Sequence, residues 1–202
     1  MTPAALRDIV EQLSSYPTRN SLSPYLRPAM EWVADQYRAI PGMEVELMEF
    51  TLPIGNRVPE PTPVVQVIAT LPGERTDIVM QSAHVDSLCL GVDPQTGRAP
   101  GANDDASGVA VGICVARALA SRPRKNTLRF VAYCGEEQGL LGAKALAARA
   151  KEEGWPILGI LNNDMVGSSR NLNGQSEAHA LRLYSDVPAR EFARYAEWVA
   201  RN

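Results

Sequence analysis

One helical segment limits the folds that are open to this 202-residue chain. From Ser107 to Ala120 the residues are apolar on almost every helical face, and Arg117 is the main exception. A helix of this composition must be covered on several sides, as happens when it lies on a sheet and is itself covered. The segment therefore predicts a layered fold in which this helix is buried.

The rest of the chain alternates between strand-like and helix-like patterns. Apolar or alternating runs predict strands, longer amphipathic or alanine-rich runs predict helices, and segments rich in proline, glycine and aspartate predict loops. The predicted strands are 44–51, 64–70, 77–83, 128–133, 157–161 and 181–185, the helices 4–15, 25–39, 107–120, 140–151 and 189–201, and the loops 53–63 and 91–101. The apolar composition of 157–161 predicts that this strand is buried. This alternation favours an α/β sandwich around a mostly parallel sheet, in one domain over residues 1–202.

Composition narrows the choice of partner. A formal net charge of −3 and a pI of about 5.5 give no electrostatic reason to expect binding to nucleic acid or to an anionic membrane. We find no apolar run long enough to cross a bilayer, and the first residues lack the order of a secretory signal. Cys89, Cys114 and Cys134 cannot all pair within one chain, and the last two are expected to be buried thiols. The cellular compartment is left open.

Four segments with acidic or histidine side chains lie where a predicted strand ends or a helix is about to begin. If the strands are parallel, their carboxyl ends share one edge of the sheet, which is where open α/β folds bind ligands. The sequence then gathers one imidazole and several carboxylates, a ligand set that zinc favours in hydrolytic sites. The residues concerned are His84, Asp104 and Asp105, Glu136 and Glu137, and Asp164.

Local spacing suggests individual tasks, although each segment has an ordinary structural interpretation as well. Residues two apart on an extended chain face the same way, so Asp86 can accept the second ring N–H of a metal-bound His84. Of the adjacent Glu136 and Glu137, one can bind a metal while the other acts as a general base. Taken singly, each segment is better explained by ordinary structure: a structural histidine, an N-cap turn, acidic residues at a positive helix end or a solvated strand end. Only the joint order of the segments favours a metal site.

That joint order resembles the co-catalytic di-zinc aminopeptidases, a family of bacterial leucyl aminopeptidases with glutamate carboxypeptidases and glutaminyl cyclases as more distant members. The resemblance covers His84 to Asp164, and the part of the chain before it matches only in a general way. It is carried by Ala83-His84-Val85-Asp86-Ser87, Pro100-Gly101-Ala102-Asn103-Asp104-Asp105-Ala106-Ser107-Gly108, Gly135-Glu136-Glu137-Gln138-Gly139-Leu140 and Asn163-Asp164-Met165. The family implies a three-layer αβα sandwich.

The same resemblance implies roles for single residues. Asp104 would bridge two zinc ions, His84 and Asp164 would complete one metal site, and Glu137 would contribute to the other. Glu136 would be the general base that activates a metal-bound water for hydrolysis of the amino-terminal peptide bond. The peptide bond between Asp104 and Asp105 would be cis. The expected substrate is a peptide with a free amino terminus.

The sequence also departs from the family pattern. The second metal site needs a histidine from a loop much nearer the carboxyl terminus, and His179 comes too soon after Asp164 to be assigned that role. The chain also stops at Asn202 within a helical pattern. We therefore expect one complete metal site here, in a catalytic domain that is incomplete at its carboxyl end.

Two other functions stay open at this point. A glutaminyl cyclase shares the scaffold that the resemblance implies but uses one zinc ion, and the run Asp104-Asp105-Ala106-Ser107-Gly108 favours the two-metal peptidases over it. A catalytically inert metal-binding fragment of a peptidase is the other alternative. Substrate preference and oligomeric state are left open by the sequence.

Overall fold

The computed structural model describes residues 2–170, 174, 176 and 181–201 of the chain. These residues form two compact units, one over residues 1–167 and one over residues 168–202. The first unit contains, in chain order, α1 (Pro3–Ser15), α2 (Leu26–Arg38), β1 (Glu44–Leu52), β2 (Thr62–Leu71), β3 (Arg75–His84), α3 (Ala106–Leu119), β4 (Asn126–Tyr133), α4 (Leu141–Glu152) and β5 (Ile157–Asn162). The second unit contains α5 (Arg190–Arg201). The prediction of a single domain over residues 1–202 stays a prediction.

The five strands form one mixed sheet in the order β1-β2-β4-β3-β5. Strand β3 pairs in parallel with β4 on one side and with β5 on the other, whereas β2 is antiparallel to both β1 and β4. Strand β2 therefore runs against the other four, so the sheet is mixed in its pairing and mostly parallel in strand direction. Strand β4 lies between β2 and β3, so the turn at 71–74 joins two strands that do not pair with each other.

Helices cover both faces of this sheet. On one face α1, α2 and α3 enclose the larger core, which includes Val33, Val67 and Ile113. Ile68, the neighbour of Val67 on β2, points to the opposite face and packs with Leu146 of α4 in a smaller core. Successive strand residues point to opposite faces, and here both faces are apolar because both are covered. The three-layer αβα sandwich is confirmed.

The buried helix that limits the fold is α3. Its residues pack against α1, β3 and β4, and Ala110, Ile113 and Ala116 have no exposed surface. Small side chains let this helix approach the sheet closely, and its length of 14 residues carries the chain back from one strand to the next parallel strand. The helix consequently begins at the carboxyl edge of the sheet, beside the ends of β3, β4 and β5.

Two predictions about strands are wrong. The segment 157–161 is a strand, but among the described strands it pairs with β3 alone and forms an edge, and Leu158 and Ile160 are 64% and 49% exposed rather than buried. Its apolar composition indicated burial, but burial depends on neighbouring elements and not on the strand itself. Residues 181–185 are irregular, because this short run pairs with no other described strand.

Two further expectations concern the thiols and membranes. Cys114 and Cys134 are buried and Cys89 is exposed, and all three are free. Among the described helices none is both long and apolar enough to span a membrane.

Candidate metal centre

The carboxyl ends of three neighbouring parallel strands bring the candidate residues together. His84 is the last residue of β3, and Glu136 follows β4 after a two-residue turn. Asp164 follows β5 by two residues, and Asp104 lies directly before the first turn of α3. The structure therefore gathers at one edge all of the segments that the strand-end argument predicted to meet there.

The imidazole of His84 lies at the centre of these side chains. Its Nε2 atom is 3.1 Å from Oδ1 of Asp104, 3.9 Å from Oδ1 of Asp164 and 3.9 Å from Oε2 of Glu136. One ligand atom from each of His84, Asp104 and Asp164 can be chosen so that all three lie within 4.8 Å of one another. The imidazole is buried, whereas the Asp104 and Asp164 carboxylates are nearly half exposed. The ring therefore lies at the buried end of the site, and the carboxylates around it face water.

The other ring nitrogen of His84 fixes which tautomer is present. Its Nδ1 atom lies 2.9 Å from the backbone carbonyl oxygen of Asp86, and because a carbonyl only accepts hydrogen bonds, Nδ1 must carry the hydrogen. The Asp86 carboxylate is farther from Nδ1, at 3.6 Å. The backbone of Asp86, rather than the carboxylate that the spacing suggested, therefore orients the ring and leaves Nε2 to face Asp104 and Asp164.

The carboxylate of Asp86 has another task. Its two oxygens accept the backbone N–H groups of Glu136, at 3.3 Å, and Glu137, at 3.1 Å. The side-chain hydroxyl of Ser21 accepts the N–H of Gly135 at 2.8 Å, so the turn after β4 is held at two points. These contacts present the two adjacent glutamates to the site.

Asp105 connects the remaining segments. The Asp104–Asp105 peptide bond is cis, as the resemblance implies, and the Asp105 side chain is fully buried. One of its oxygens caps α3 by accepting the N–H of Gly108 at 2.9 Å and also accepts the N–H of Met165 at 3.3 Å. The other accepts the N–H of His84 at 3.3 Å. A single buried carboxylate thus connects the backbone of His84, the residue after Asp164 and the first turn of the helix that follows Asp104.

The loop after β5 is also fastened to the start of α3. Val166 donates its N–H to the Ser107 hydroxyl at 3.1 Å, and Gly167 donates its N–H to the Asn103 side-chain oxygen at 2.8 Å. These contacts fix the position of Asp164 relative to Asp104.

Charge repulsion and burial perturb the titration of the acidic groups. Burial, together with the neighbouring Asp104 and Asp86 carboxylates, raises the pKa of Glu137 to about 7. Burial raises the pKa of Asp105 to about 7 and also raises that of Glu136. A site that holds several carboxylates at raised pKa values is arranged for a cation or for proton transfer.

His84 responds to the same environment in the opposite sense. Burial lowers the pKa of its imidazolium, but the nearby carboxylates of Asp104 and Asp86 outweigh burial and raise the pKa to about 11. The hydrogen bond to His84 lowers the pKa of Asp104. In the metal-free molecule a proton on Nε2 therefore lies between acidic side chains, where a metal ion would otherwise balance their charge.

The donor set fits zinc. One neutral imidazole nitrogen with a fixed tautomer and two carboxylate oxygens make up a three-ligand site with room for a further ligand, as catalytic zinc sites have. Glu137 is not part of this three-residue group, but it is close enough for Asp104 to raise its pKa. A cavity of about 220 Å³ opens beside the group and is lined by His84, Glu136 and Asp164 together with Ser82, Tyr133, Leu140, Ala143 and Asn162.

Sequence reasoning missed several residues that build the site. The hydrogen bonds of Ser21, Asn103 and Ser107 give no local motif, and the sequence places Asp105 at the site without predicting that its carboxylate connects the segments. Buried polar side chains need partners, so their burial would have been the informative signal, but burial is not visible in the sequence. His179 lies outside the described residues, and the expectation that it is not a ligand stays a prediction.

Comparisons with known proteins identify a family of zinc peptidases. A sequence model of Peptidase family M28 matches residues 66–197. A probable zinc metalloprotease of Pyricularia oryzae is 33% identical over 236 residues, covering 99% of this chain and 47% of the relative. The chain spans about half the length of the curated relatives it matches.

Solved structures share the fold. The LapA aminopeptidase of Legionella pneumophila superposes with a TM-score of 0.67 at 21% identity, over 85% of this chain and 45% of LapA. A Zn-dependent exopeptidase of Parabacteroides distasonis superposes with a TM-score of 0.72 at 16% identity, over 84% of this chain and 63% of the exopeptidase. At these identities the similarity shows the fold alone.

Proposed function

The chain belongs to peptidase family M28, and on that premise we propose that it acts as a zinc-dependent aminopeptidase that removes residues from the amino terminus of peptides. The observation that carries the proposal is the convergence of His84, Asp104 and Asp164 on one point with Glu136 beside them. The names of the structural neighbours, an aminopeptidase and a Zn-dependent exopeptidase, support the choice of an exopeptidase.

In this proposal the ligands divide between two zinc ions. His84, Asp104 and Asp164 would hold one ion, and Asp104 and Glu137 would contribute to holding the second. When bound, zinc makes water acidic enough to be deprotonated near neutral pH and polarises the scissile carbonyl group. The ligand set of the second ion is incomplete in the described part of the chain, so one ion is expected to bind more tightly than the other.

Glu136 acts as the general base and then as the general acid. Its carboxylate lies 3.9 Å from His84 Nε2, and burial raises its pKa, which suits a group that must both take up and release a proton near neutral pH. It would accept a proton from the attacking water and donate that proton to the departing amine. The surrounding carboxylates would attract the positively charged amino terminus of a peptide.

The test compares Glu136→Gln with the wild-type chain on a leucyl anilide, the same compound acetylated on its amine, and a peptide that begins with glutamine. We expect the wild type to cleave the free-amine anilide and to release glutamine from the peptide while leaving the acetylated anilide intact. Glu136→Gln should lose at least about a hundredfold in rate with its zinc content unchanged. Glu60→Gln is the matched control, because Glu60 is an exposed glutamate outside the site. Metal content is measured by atomic emission on the same samples.

Each other result contradicts the proposal in its own way. Full activity in Glu136→Gln means that another group is the base. Cyclisation of the glutamine peptide without release of its first residue favours a glutaminyl cyclase. A chain that binds zinc and turns over none of the three compounds is a metal-binding domain without peptidase activity.

A further inference from the structure

Arg19 is a fully buried arginine in the connection between α1 and α2. Its guanidinium group donates four hydrogen bonds, each to a backbone carbonyl oxygen. Nε donates to Val85 at 2.7 Å, Nη1 to Leu13 at 2.8 Å and to Pro100 at 2.5 Å, and Nη2 to Gly101 at 2.9 Å. The planar group is therefore satisfied on three sides by three separate stretches of chain.

Two of those stretches carry the candidate metal ligands. Val85 directly follows His84, and Gly101 begins the short loop that leads to Asp104. The positions of the His84 and Asp104 backbones relative to each other are thus set in part by one side chain that binds to both stretches. Gly101 has a φ of +51°. A Cβ atom there would lie 2.4 Å from the backbone oxygen of Asp104, 2.6 Å from Cβ of Ser87 and 2.9 Å from Nη2 of Arg19, so the loop packs this closely only without a side chain.

The backbone around Arg19 strengthens the same connection. Its N–H donates to the Ser87 hydroxyl at 2.9 Å, and that hydroxyl donates to the carbonyl of Ala99 at 2.6 Å. The N–H of Ala99 in turn donates to the carbonyl of Pro17 at 2.8 Å. Ser87 and Ala99 belong to the same two ligand-bearing stretches, so they are joined twice through residues 17–19.

The charge of Arg19 is unusual for a buried arginine. All its described side-chain hydrogen bonds end on carbonyl oxygens and none on a carboxylate, although buried charges are normally paired directly. Asp86, Asp105 and Asp104 are nevertheless near enough to stabilise the charged form, while burial lowers the pKa to about 10. A positive charge therefore lies behind an acidic cluster without occupying any of the carboxylate oxygens that face the site.

We propose that Arg19 is a positioning residue of the metal centre. It holds the stretches that carry His84 and Asp104 at the separation that zinc requires, and it offsets the repulsion among the carboxylates without competing with the metal for their oxygens. The inference rests on the proposed function in one respect, namely that the cluster binds zinc.

The test measures zinc affinity by chelator competition and the visible spectrum of the cobalt-loaded chain, alongside urea unfolding of the metal-free chain. Arg19→Met, which keeps the aliphatic stem, should weaken zinc binding by about 10- to 100-fold and alter the cobalt spectrum, as loss of a group behind the ligands does at other metal sites. Arg19→Lys keeps the charge but has a single nitrogen, so it should recover part of the affinity.

Two controls separate positioning from general stability. Met30→Ala removes a fully buried side chain from α2 and should destabilise the metal-free chain while leaving zinc affinity within twofold of the wild type. Arg38→Met removes an exposed positive charge at the end of α2 and should leave both quantities unchanged.

The outcomes are distinguishable. A wild-type chain that binds no zinc contradicts the proposed function. A wild-type chain that binds zinc, with a folded Arg19→Met that binds it equally well, overturns the role of Arg19 alone. If Arg19→Met does not fold, Ser87→Ala takes its place, because it removes the second connection between the same stretches. A zinc affinity of Ser87→Ala equal to that of the wild type would likewise overturn the proposal.

Discussion

The Asp86 side chain is buried, and its carboxylate is hydrogen-bonded directly by backbone donors. Each of its oxygens accepts one N–H group from the turn that presents Glu136 and Glu137. His84 is oriented by the backbone carbonyl of the same residue. One residue therefore serves two parts of the site through different atoms, and a side-chain substitution can separate the two.

We predict that Asp86→Asn lowers the rate of peptide hydrolysis by about 10- to 100-fold and changes zinc affinity less than threefold. The amide nitrogen of asparagine would face one of the two N–H groups, a donor against a donor, and the Glu136–Glu137 turn would shift. The ring of His84 would keep its acceptor. Steady-state rates and chelator competition on one preparation measure the two effects.

Asp93→Asn is the matched control, because Asp93 also accepts two backbone N–H groups, from Gln95 and Thr96, but in an exposed loop. It should leave both the rate and the zinc affinity unchanged. A loss of zinc affinity in Asp86→Asn as large as the loss in rate would show that the Asp86 carboxylate acts mainly on the metal ligands.

The first turn of α3 is the element on which the site is assembled. A Cβ atom at Gly108 would lie 2.5 Å from the backbone oxygen of Asn163 and 2.5 Å from Oδ2 of Asp105. Neither atom is the end of a flexible side chain, because Asp105 is held by several donors and Asn163 is backbone next to Asp164. The close approach at Gly108 therefore lets the helix come near enough to β5 for Asp104 and Asp164 to meet.

We predict that Gly108→Ala weakens zinc binding at least tenfold and lowers the free energy of unfolding by about 1–3 kcal/mol through overpacking. Gly112→Ala, one turn later on the same helix, is the control for zinc binding, since the added Cβ would meet Oε1 of Gln81 at 2.4 Å and the hydroxyl of Tyr37 at 2.9 Å, neither of which belongs to the metal site. Both substitutions gain helix propensity. Equal zinc affinities in the two variants would contradict the role assigned to the first turn.

At the scale of elements, periodicity predicted most of the fold but not the neighbours of each strand. The ends of β3, β4 and β5 could be placed because their apolar runs stop sharply before polar residues. The insertion of β4 between β2 and β3 could not, because strand order is decided by contacts between distant parts of the chain. The exposure of Leu158 has the same origin, since it depends on what lies over the edge strand.

The residues of the site likewise fall into those that local sequence patterns predict and those that depend on distant contacts. His84, Asp104 and Asp164 could be predicted to meet because each lies beside the end or start of an element whose direction the pattern gives. Arg19 could not, because an arginine between two helices is normally exposed and its acceptors lie up to 82 positions away. Ligands carry a local pattern, whereas the residues that hold them in place are identified only by burial.

At the scale of the whole molecule, the acidic cluster makes stability depend on pH and on metal. Burial and the charges of Asp104 and Asp86 raise the pKa of Glu137 from 4.5 to about 7 in the folded chain. A folded pKa above the unfolded value means that the folded state holds the proton more tightly. The contribution of Glu137 to the free energy of unfolding is therefore full below pH 4.5 and is lost as pH rises through 7. The metal-free chain should therefore lose stability over that interval.

Glu137→Gln removes this dependence, because glutamine stays neutral at every pH. We expect the metal-free variant to match the wild type at pH 4 and to exceed its free energy of unfolding by about 1 kcal/mol at pH 8, a figure reduced for the half-exposed side chain. At pH 8 zinc should stabilise both proteins, because the variant keeps His84, Asp104 and Asp164, by about 2.7 kcal/mol at a hundred times the dissociation constant of each. Urea unfolding at both pH values, with chelator and with zinc, measures all four quantities. If the two chelated proteins differ in free energy of unfolding by the same amount at pH 4 and pH 8, folding does not disfavour the charged form of Glu137. The acidic cluster would then need no cation to balance that charge.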